Sequence, residues 1–159
     1  MQLEARSLLF QAIRDGNLGQ TWNLISDHPD LVQTADDAGL FPLHLAARLN
    51  DRALAQVLLD YGADIECVHP ATFSTPLKHA VFFANLDLVR YLVQRGARLD
   101  NRGGGSTTPL ELARKAPTEH FRQMGTPGSD QDYSAIAKFL EDRARELPAP
   151  ILRGDSPAT

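Results

Sequence analysis

The sequence predicts an all-α repeat solenoid of about four stacked helix–turn–helix units with short finger loops. Prolines at positions 42, 76 and 109 are 34 and 33 residues apart, and Gly62 and Gly96 are also 34 residues apart. A fixed period of this size is typical of proteins built from stacked repeats. One unit cannot bury its apolar face alone, so the leucine and alanine positions of neighbouring units are predicted to pack together as the core.

Local signals justify the two helices of each unit in turn. Proline suits the first turn of a helix, where its missing N–H would be unpaired anyway. Thr75 and Thr108 stand directly before two of the prolines and can cap the same helices. Gly62 and Gly96 stand where the second helices are expected to end, a place that favours left-handed backbone. The predicted domain spans 1–146, with units at about 5–35, 36–69, 70–102 and 103–146.

The repeated motifs resemble those of the ankyrin-repeat family, whose units carry Thr-Pro-Leu-His-x-Ala and later Gly-Ala-Asp. The stretches PLHLAA at 42–47 and LLDYGAD at 58–64 match this pattern closely, and LVQRGAR at 92–98 matches it nearly as well. LLFQAIRDGNLGQTWNLI at 8–25 fits one further unit in the same phase. The resemblance covers roughly residues 5–145 and implies stacked helical units that bind other proteins.

The chain departs from the family pattern at the finger loops. Phe41 replaces the capping threonine, so the family's threonine–histidine hydrogen bond is predicted to be absent there. Lys78 and Glu111 replace the histidine of the third and fourth units. The finger tips read PATF at 70–73 and GGGS at 103–106 where the family has Asp-x-x-Gly, and the glycine run is expected to be flexible.

The fourth unit is interrupted, by comparison with the third, by about 13 extra residues. The stretch 117–134 is rich in Pro, Gly and polar residues and is predicted to be a loop. It is either a tolerated surface loop or part of a working face. Helical patterning resumes at 135–140, and the charged helix there suits the end of a stack. The tail 147–159, which includes Arg-Gly-Asp at 153–155, is predicted to be disordered.

Composition narrows the classes of partner. The net charge of -4 and the absence of a run of Lys and Arg argue against nucleic acid or an anionic membrane. The single cysteine, Cys67, rules out an internal disulfide. No stretch is apolar enough for a membrane span, and the first residues do not resemble a signal peptide. The expectation is a cytoplasmic protein that is monomeric on its own.

The sequence carries no recognisable enzyme motif. The histidines His28, His44, His69, His79 and His120 show no metal-ligand spacing, and there is no Walker loop or nucleophile elbow. His44 occupies the family's structural histidine position, and His79 replaces the usual leucine, so it is predicted to be a half-buried packing residue. We expect a non-catalytic protein with no cofactor and no metal. A pocket that joins His79 or His120 to a carboxylate would favour an enzyme instead.

The resemblance implies a concave groove, built from the finger tips and the exposed side of each first helix. By helical geometry Phe82 and Phe83 lie more than about 100° from the centre of the apolar arc that contains Ala80 and Val81. In the family these positions face the groove. Aromatic residues with arginines around them are typical of binding hot spots. The predicted partner-binding residues are Leu40, Arg48, Leu49, Tyr61, Ser74, Phe82, Phe83, Arg95 and Lys115, with Arg14 as a further basic flank. The alternative is that Phe82 or Phe83 packs against the 117–134 loop or the adjacent unit.

Two functions remain open at this point. The first is a protein-binding module whose groove recognises a partner and inhibits or neutralises it, as an immunity protein or antitoxin does. The second is a structural or assembly factor of a larger complex, which would use the 117–134 loop or the convex face. The sequence names no partner for either function.

Overall fold

The computed structural model describes residues 2–117 and 127–146, and over those residues the chain is helical with no β-strand. The helices are α1 (Gln2–Arg14), α2 (Leu18–Asp27), a 3-10 helix (Pro29–Gln33), α3 (Pro42–Leu49), α4 (Arg52–Asp60), α5 (Pro76–Phe82), α6 (Leu86–Gln94), α7 (Pro109–Lys115) and α8 (Asp130–Glu146). This architecture confirms the predicted all-α repeat solenoid.

The helices form two rows. Consecutive helices pack in pairs, from α1 with α2 to α7 with α8. The first helices of the pairs, α1, α3, α5 and α7, also pack side by side, as do the second helices α2, α4, α6 and α8. Leucines of both rows and the small Ala46 and Ala80 are fully buried between them, in one hydrophobic cluster that runs through the stack. Alanine at these positions lets neighbouring helices approach closely.

The predicted helix ends are confirmed. The Thr75 hydroxyl accepts the backbone N–H of Lys78 at 3.3 Å. Thr108 and Glu111 form a capping box, in which each side chain accepts the backbone N–H of the other residue. Gly62 and Gly96 follow the ends of α4 and α6 with φ of +86° and +98°, which glycine adopts without steric cost.

The fingers of the third and fourth units are each tied to the preceding unit by a side chain from its first helix. His44 of α3 is fully buried, and its Nε2–H donates to the Ser74 carbonyl at 2.8 Å. Lys78 stands at the equivalent place in α5 and donates to the Phe73 carbonyl at 3.1 Å and to the Arg102 carbonyl at 3.0 Å. Phe41 makes no side-chain cap for α3, as predicted, and its ring lies against that of His44.

The loop prediction for 117–134 was wrong at its C-terminal end, because α8 begins at Asp130. The Ser129 hydroxyl donates to the Asp132 carboxylate and accepts the Asp132 backbone N–H, so the two residues brace the first turn. Tyr133 is then fully buried, which fixes this turn to the stack. The rest of the insertion, residues 118–126 with His120, and the tail 147–159 with its Arg-Gly-Asp tripeptide lie outside the described residues.

Candidate functional site

The end of α3 carries the exposed part of the predicted groove. Leu49 is 47% exposed, Arg48 is exposed beside it, and Asn50 then turns the chain with φ of +55°. The side-chain amide of Asn85 donates to the carbonyls of Ala47 and Arg48, which fixes this turn against the next unit. Arg48 and Leu49 therefore extend into solvent from a well-supported helix end.

Phe82 and Phe83 are less free than their position in the repeat predicted. Both are half-buried, and Phe82 packs against the hydrophobic core. Their rings meet edge to face with centroids 5.2 Å apart. The Tyr133 hydroxyl of α8 donates to the Phe82 carbonyl at 2.6 Å. The core and the other ring therefore cover part of the pair, and the role of Phe82 and Phe83 in binding stays a prediction.

Phe83 belongs to a row of aromatic rings that crosses from the second unit into the third. This aromatic row consists of Phe41, His44, His79, Phe83 and Phe82. Successive ring centroids lie 5.8, 4.9, 5.9 and 5.2 Å apart. His79 and Phe83 are four residues apart on one helix face, a spacing that could have been read from the sequence. The contact between His44 and His79 joins two units and has no local sequence signal.

The histidines of the row are packing groups at neutral pH. Burial lowers the pKa of His44 to about 4 and, together with the neighbouring imidazoles, that of His79 to about 3. Because Nε2 of His44 donates to a carbonyl, its Nδ1 is the acceptor, and the Cys67 thiol lies 3.7 Å from it. Burial also raises the pKa of Cys67 to about 12, so the thiol stays protonated. These groups hold the units together rather than exchange protons near pH 7.

Two of the four predicted basic flanks are ion-paired within the fold. Arg14 pairs with Asp36 at 2.9 Å, and Arg95 pairs with Asp60 at 2.9 Å. Lys115 is exposed at the end of α7. Among the residues that the structure describes, no carboxylate lies within ion-pair distance of Arg48. Arg48 is thus the flanking arginine that is left to meet a partner's acidic group.

Three other predicted site residues are held by contacts within the fold. Leu40 and Tyr61 are half-buried and pack against the core. The Tyr61 hydroxyl is hydrogen-bonded to the Ser26 hydroxyl at 2.9 Å. Ser74 is half-buried, and its carbonyl receives the His44 N–H. These side chains support the groove, and their role in binding stays a prediction.

Phe73, at the third finger tip, was missed by the sequence reasoning. It is 49% exposed and has φ of +51°, an uncommon backbone conformation for an aromatic residue. The Lys78 ammonium holds its carbonyl, and a Cβ at Gly103 would collide with the same carbonyl. Strained residues of this kind cluster at functional sites. The sequence feature that could have indicated Phe73 is the stretch PATF at 70–73, which replaces the family's Asp-x-x-Gly.

Comparison with known proteins agrees with this architecture. A model of the family of ankyrin repeats, in three copies, matches residues 9–103. The chain belongs to the ankyrin-repeat family. The repeats of this family are non-catalytic protein–protein interaction modules. Within residues 2–117 and 127–146 no helix is long and apolar enough to cross a membrane, and no group of three or more His, Cys, Asp or Glu side chains could hold a metal ion.

The chain is similar to segments of several much longer proteins. It is 40% identical to the fowlpox virus ankyrin repeat protein FPV014 over 72 residues, 45% of this chain and 16% of that protein. It is 31% identical to the E3 ubiquitin-protein ligase hecd-1 of Caenorhabditis elegans over 133 residues, 84% of this chain and 4% of that protein. It is 28% identical to the rat ankyrin repeat and SAM domain-containing protein 6 over 104 residues, 65% of this chain and 12% of that protein. The chain thus spans under a fifth of the length of each of these relatives.

Proposed function

We propose that this ankyrin-repeat chain recognises a partner protein through its concave groove, with Leu49 and Phe83 at the centre of the contact. The observation that carries the proposal is the exposed Leu49 beside the unpaired Arg48 at the end of α3. Phe83 occupies the equivalent position of the repeat, directly after α5, and α5 packs directly against α3. Exposed apolar side chains next to an arginine are the usual composition of an interface centre.

The charged side chains around this centre indicate which surface chemistry a partner needs. With Arg14 and Arg95 already ion-paired, Arg48 is the arginine available at the groove. The matching surface is an aliphatic or aromatic anchor with one carboxylate beside it. Phe73, at the tip of the third finger, is a further exposed apolar side chain that we propose for the contact. Such a surface excludes water around a small apolar anchor, which is where truncations cost most affinity.

Inhibition or neutralisation of the partner, as by an immunity protein or antitoxin, is the form of binding we propose. A partner bound in the groove would have its own contact surface covered. The buried His44 and His79 stay neutral near pH 7. We further propose a cytoplasmic, monomeric protein whose partner is neither nucleic acid nor membrane. The free, buried Cys67 and the net charge of -4 support this setting.

Affinity capture followed by titration of the purified partner tests the groove. We expect Leu49→Ser to weaken binding about tenfold or more, a loss of about 1.4 kcal/mol, because a central apolar contact is removed. Leu8→Ser is the matched control, since Leu8 is 45% exposed and lies on α1 outside the predicted contact. Equal affinity of the folded Leu49→Ser variant and the wild type would show that the groove centre is misplaced.

A role as an assembly factor is the second candidate, and one contact favours it. A Cβ at Gly128 would collide with the side chain of Ala84, so the end of the insertion reaches the third unit beside the groove. Replacement of residues 118–126 by a glycine–serine linker of equal length separates the two functions. Loss of the partner on this replacement, together with full binding by Leu49→Ser, would favour assembly through the insertion.

A further inference from the structure

A cleft lies between the turn that joins α3 to α4 and the exposed side of α6. Its volume is about 410 Å³. The side chains that line it are mostly polar and exposed: Asn50, Arg52, Asp87, Arg90, Tyr91 and Gln94. Most of its lining comes from the second helices α4 and α6, and Asn50, directly after Leu49, comes from the turn between α3 and α4.

The cleft contains two arginines, Arg52 and Arg90, that form no ion pair with a carboxylate of the described residues. Nearly every arginine in the described part of the chain is ion-paired, and the exceptions are Arg48, Arg52 and Arg90. Asp87 lines the same cleft, yet no ion pair joins it to Arg52 or Arg90. Two guanidinium groups therefore remain unneutralised at one place, in a protein whose net charge is negative.

Aromatic rings hold both guanidinium groups in place. The Arg52 guanidinium carbon lies 4.9 Å from the centroid of the Tyr91 ring, and that of Arg90 lies 5.8 Å from the Phe139 ring. Tyr91 is buried, and its hydroxyl accepts a hydrogen bond from Arg95 at 2.7 Å, so this ring is fixed. A stacked guanidinium keeps its planar edge of N–H donors available and loses less side-chain entropy when it binds.

We infer that this cleft binds a carboxylate of an acidic segment of a partner protein, as a second site besides the apolar contact at Leu49 and Phe83. Two stacked guanidiniums present N–H pairs that match the planar geometry of a carboxylate. The side-chain amides of Asn50 and Gln94 add neutral donors at the rim. With Asp87 present the lining carries one net positive charge, which suits a singly charged carboxylate better than a doubly charged phosphate.

Titration of the isotopically labelled full chain with a capped hexaglutamate peptide tests the inference by NMR. We expect saturable shifts of the Nε–H signals of Arg52 and Arg90 and of the Asn50 and Gln94 amides, and none with capped hexaglutamine. Arg52→Gln/Arg90→Gln should weaken binding about tenfold or more. The control Arg98→Gln/Arg114→Gln removes the same charge at two exposed ion pairs elsewhere and should retain most of the affinity.

Asp87→Asn is expected to strengthen the binding of hexaglutamate, whereas the arginine variants weaken it. It removes the opposing charge, so hexaglutamate should bind about two- to fivefold more tightly. This variant keeps the inference testable if the double arginine variant does not fold. Equal weakening by the control pair, or no gain with Asp87→Asn, would overturn the inference. Inorganic phosphate that shifts the same signals while hexaglutamate does not would also overturn it, in favour of a free oxyanion site.

Discussion

The junction between the second and third units and the junction between the third and fourth use different residues at the same repeat position. At the first, the neutral and fully buried His44 donates one hydrogen bond to the Ser74 carbonyl. At the second, Lys78 donates two, to the carbonyls of Phe73 and Arg102. This position of the repeat thus supplies a hydrogen-bond donor to a backbone carbonyl of the next finger. The donor is an imidazole in His44 and an ammonium group in Lys78.

The two solutions differ in charge and in their response to acid. Lys78 is only 5% exposed, and burial followed by the nearby Arg102 lowers its pKa from the usual value. Its ammonium group is surrounded by backbone oxygens rather than by a carboxylate. His44 must stay neutral to keep Nδ1 as an acceptor beside Cys67. Acid should therefore destabilise the first junction by protonating His44. Removal of the Lys78 amine should destabilise the second junction.

Acidification should have the largest effect and should act on the first junction. The folded-state pKa of His44, about 4, lies below the unfolded value of 6.5. As the pH falls from 6.5 to 4, the unfolded chain binds a proton that the fold does not. The stabilisation present above pH 6.5 is thus lost, by about 3 kcal/mol for His44. Urea unfolding from pH 7 to pH 4 measures this loss, and an equally steep pH dependence for a folded His44→Gln variant would contradict it.

Lys78→Met should have the next largest effect, at the second junction. It leaves the carbonyls of Phe73 and Arg102 without their donor, which should lower the free energy of unfolding by about 2 kcal/mol. Urea unfolding at pH 7 gives the value. Lys138→Met is the matched control, because Lys138 is exposed on α8. The same loss for both variants would mean that the finger contacts of Lys78 do not stabilise the junction.

Thr75→Ala should have the smallest effect. It removes the cap from Lys78 N–H at the start of α5 and should cost about 1 kcal/mol. Thr72→Ala, at an exposed finger position, is the control and should be close to neutral. Thermal unfolding of the two variants compares them directly. An unchanged midpoint for Thr75→Ala would show that the proline alone is sufficient to start the helix.

The fold could be predicted from the sequence because each repeat is specified by nearby residues. Pro76 after Thr75 starts a helix through a contact three residues away, and Gly62 ends one through its own backbone freedom. The same rules placed both rows of helices. The start of α8 was missed because the brace between Ser129 and Asp132 lies at the end of a stretch rich in Pro and Gly.

The candidate surface was less predictable because exposure depends on contacts between distant parts of the chain. The phase of the repeat placed Phe82 beside the groove but could not indicate the Tyr133 hydroxyl, 51 residues away, on its carbonyl. The ion pairs Arg14–Asp36 and Arg95–Asp60 also join residues far apart in sequence. The positions of the arginines in the repeat therefore overestimated the positive charge available at the groove.

The hydrogen bond from Tyr133 to Phe82 also bears on the order in which the molecule is made. A chain grows from its N-terminus, and early segments can begin to fold before later ones exist. Helices α3, with Leu49, and α5, which Phe83 follows, are synthesised first, and the Phe82 carbonyl lacks its Tyr133 donor until residue 133 has been made. The hydrogen bond that fixes the backbone at Phe82 thus forms only after residue 133 has been synthesised, later than the helices that carry the repeat.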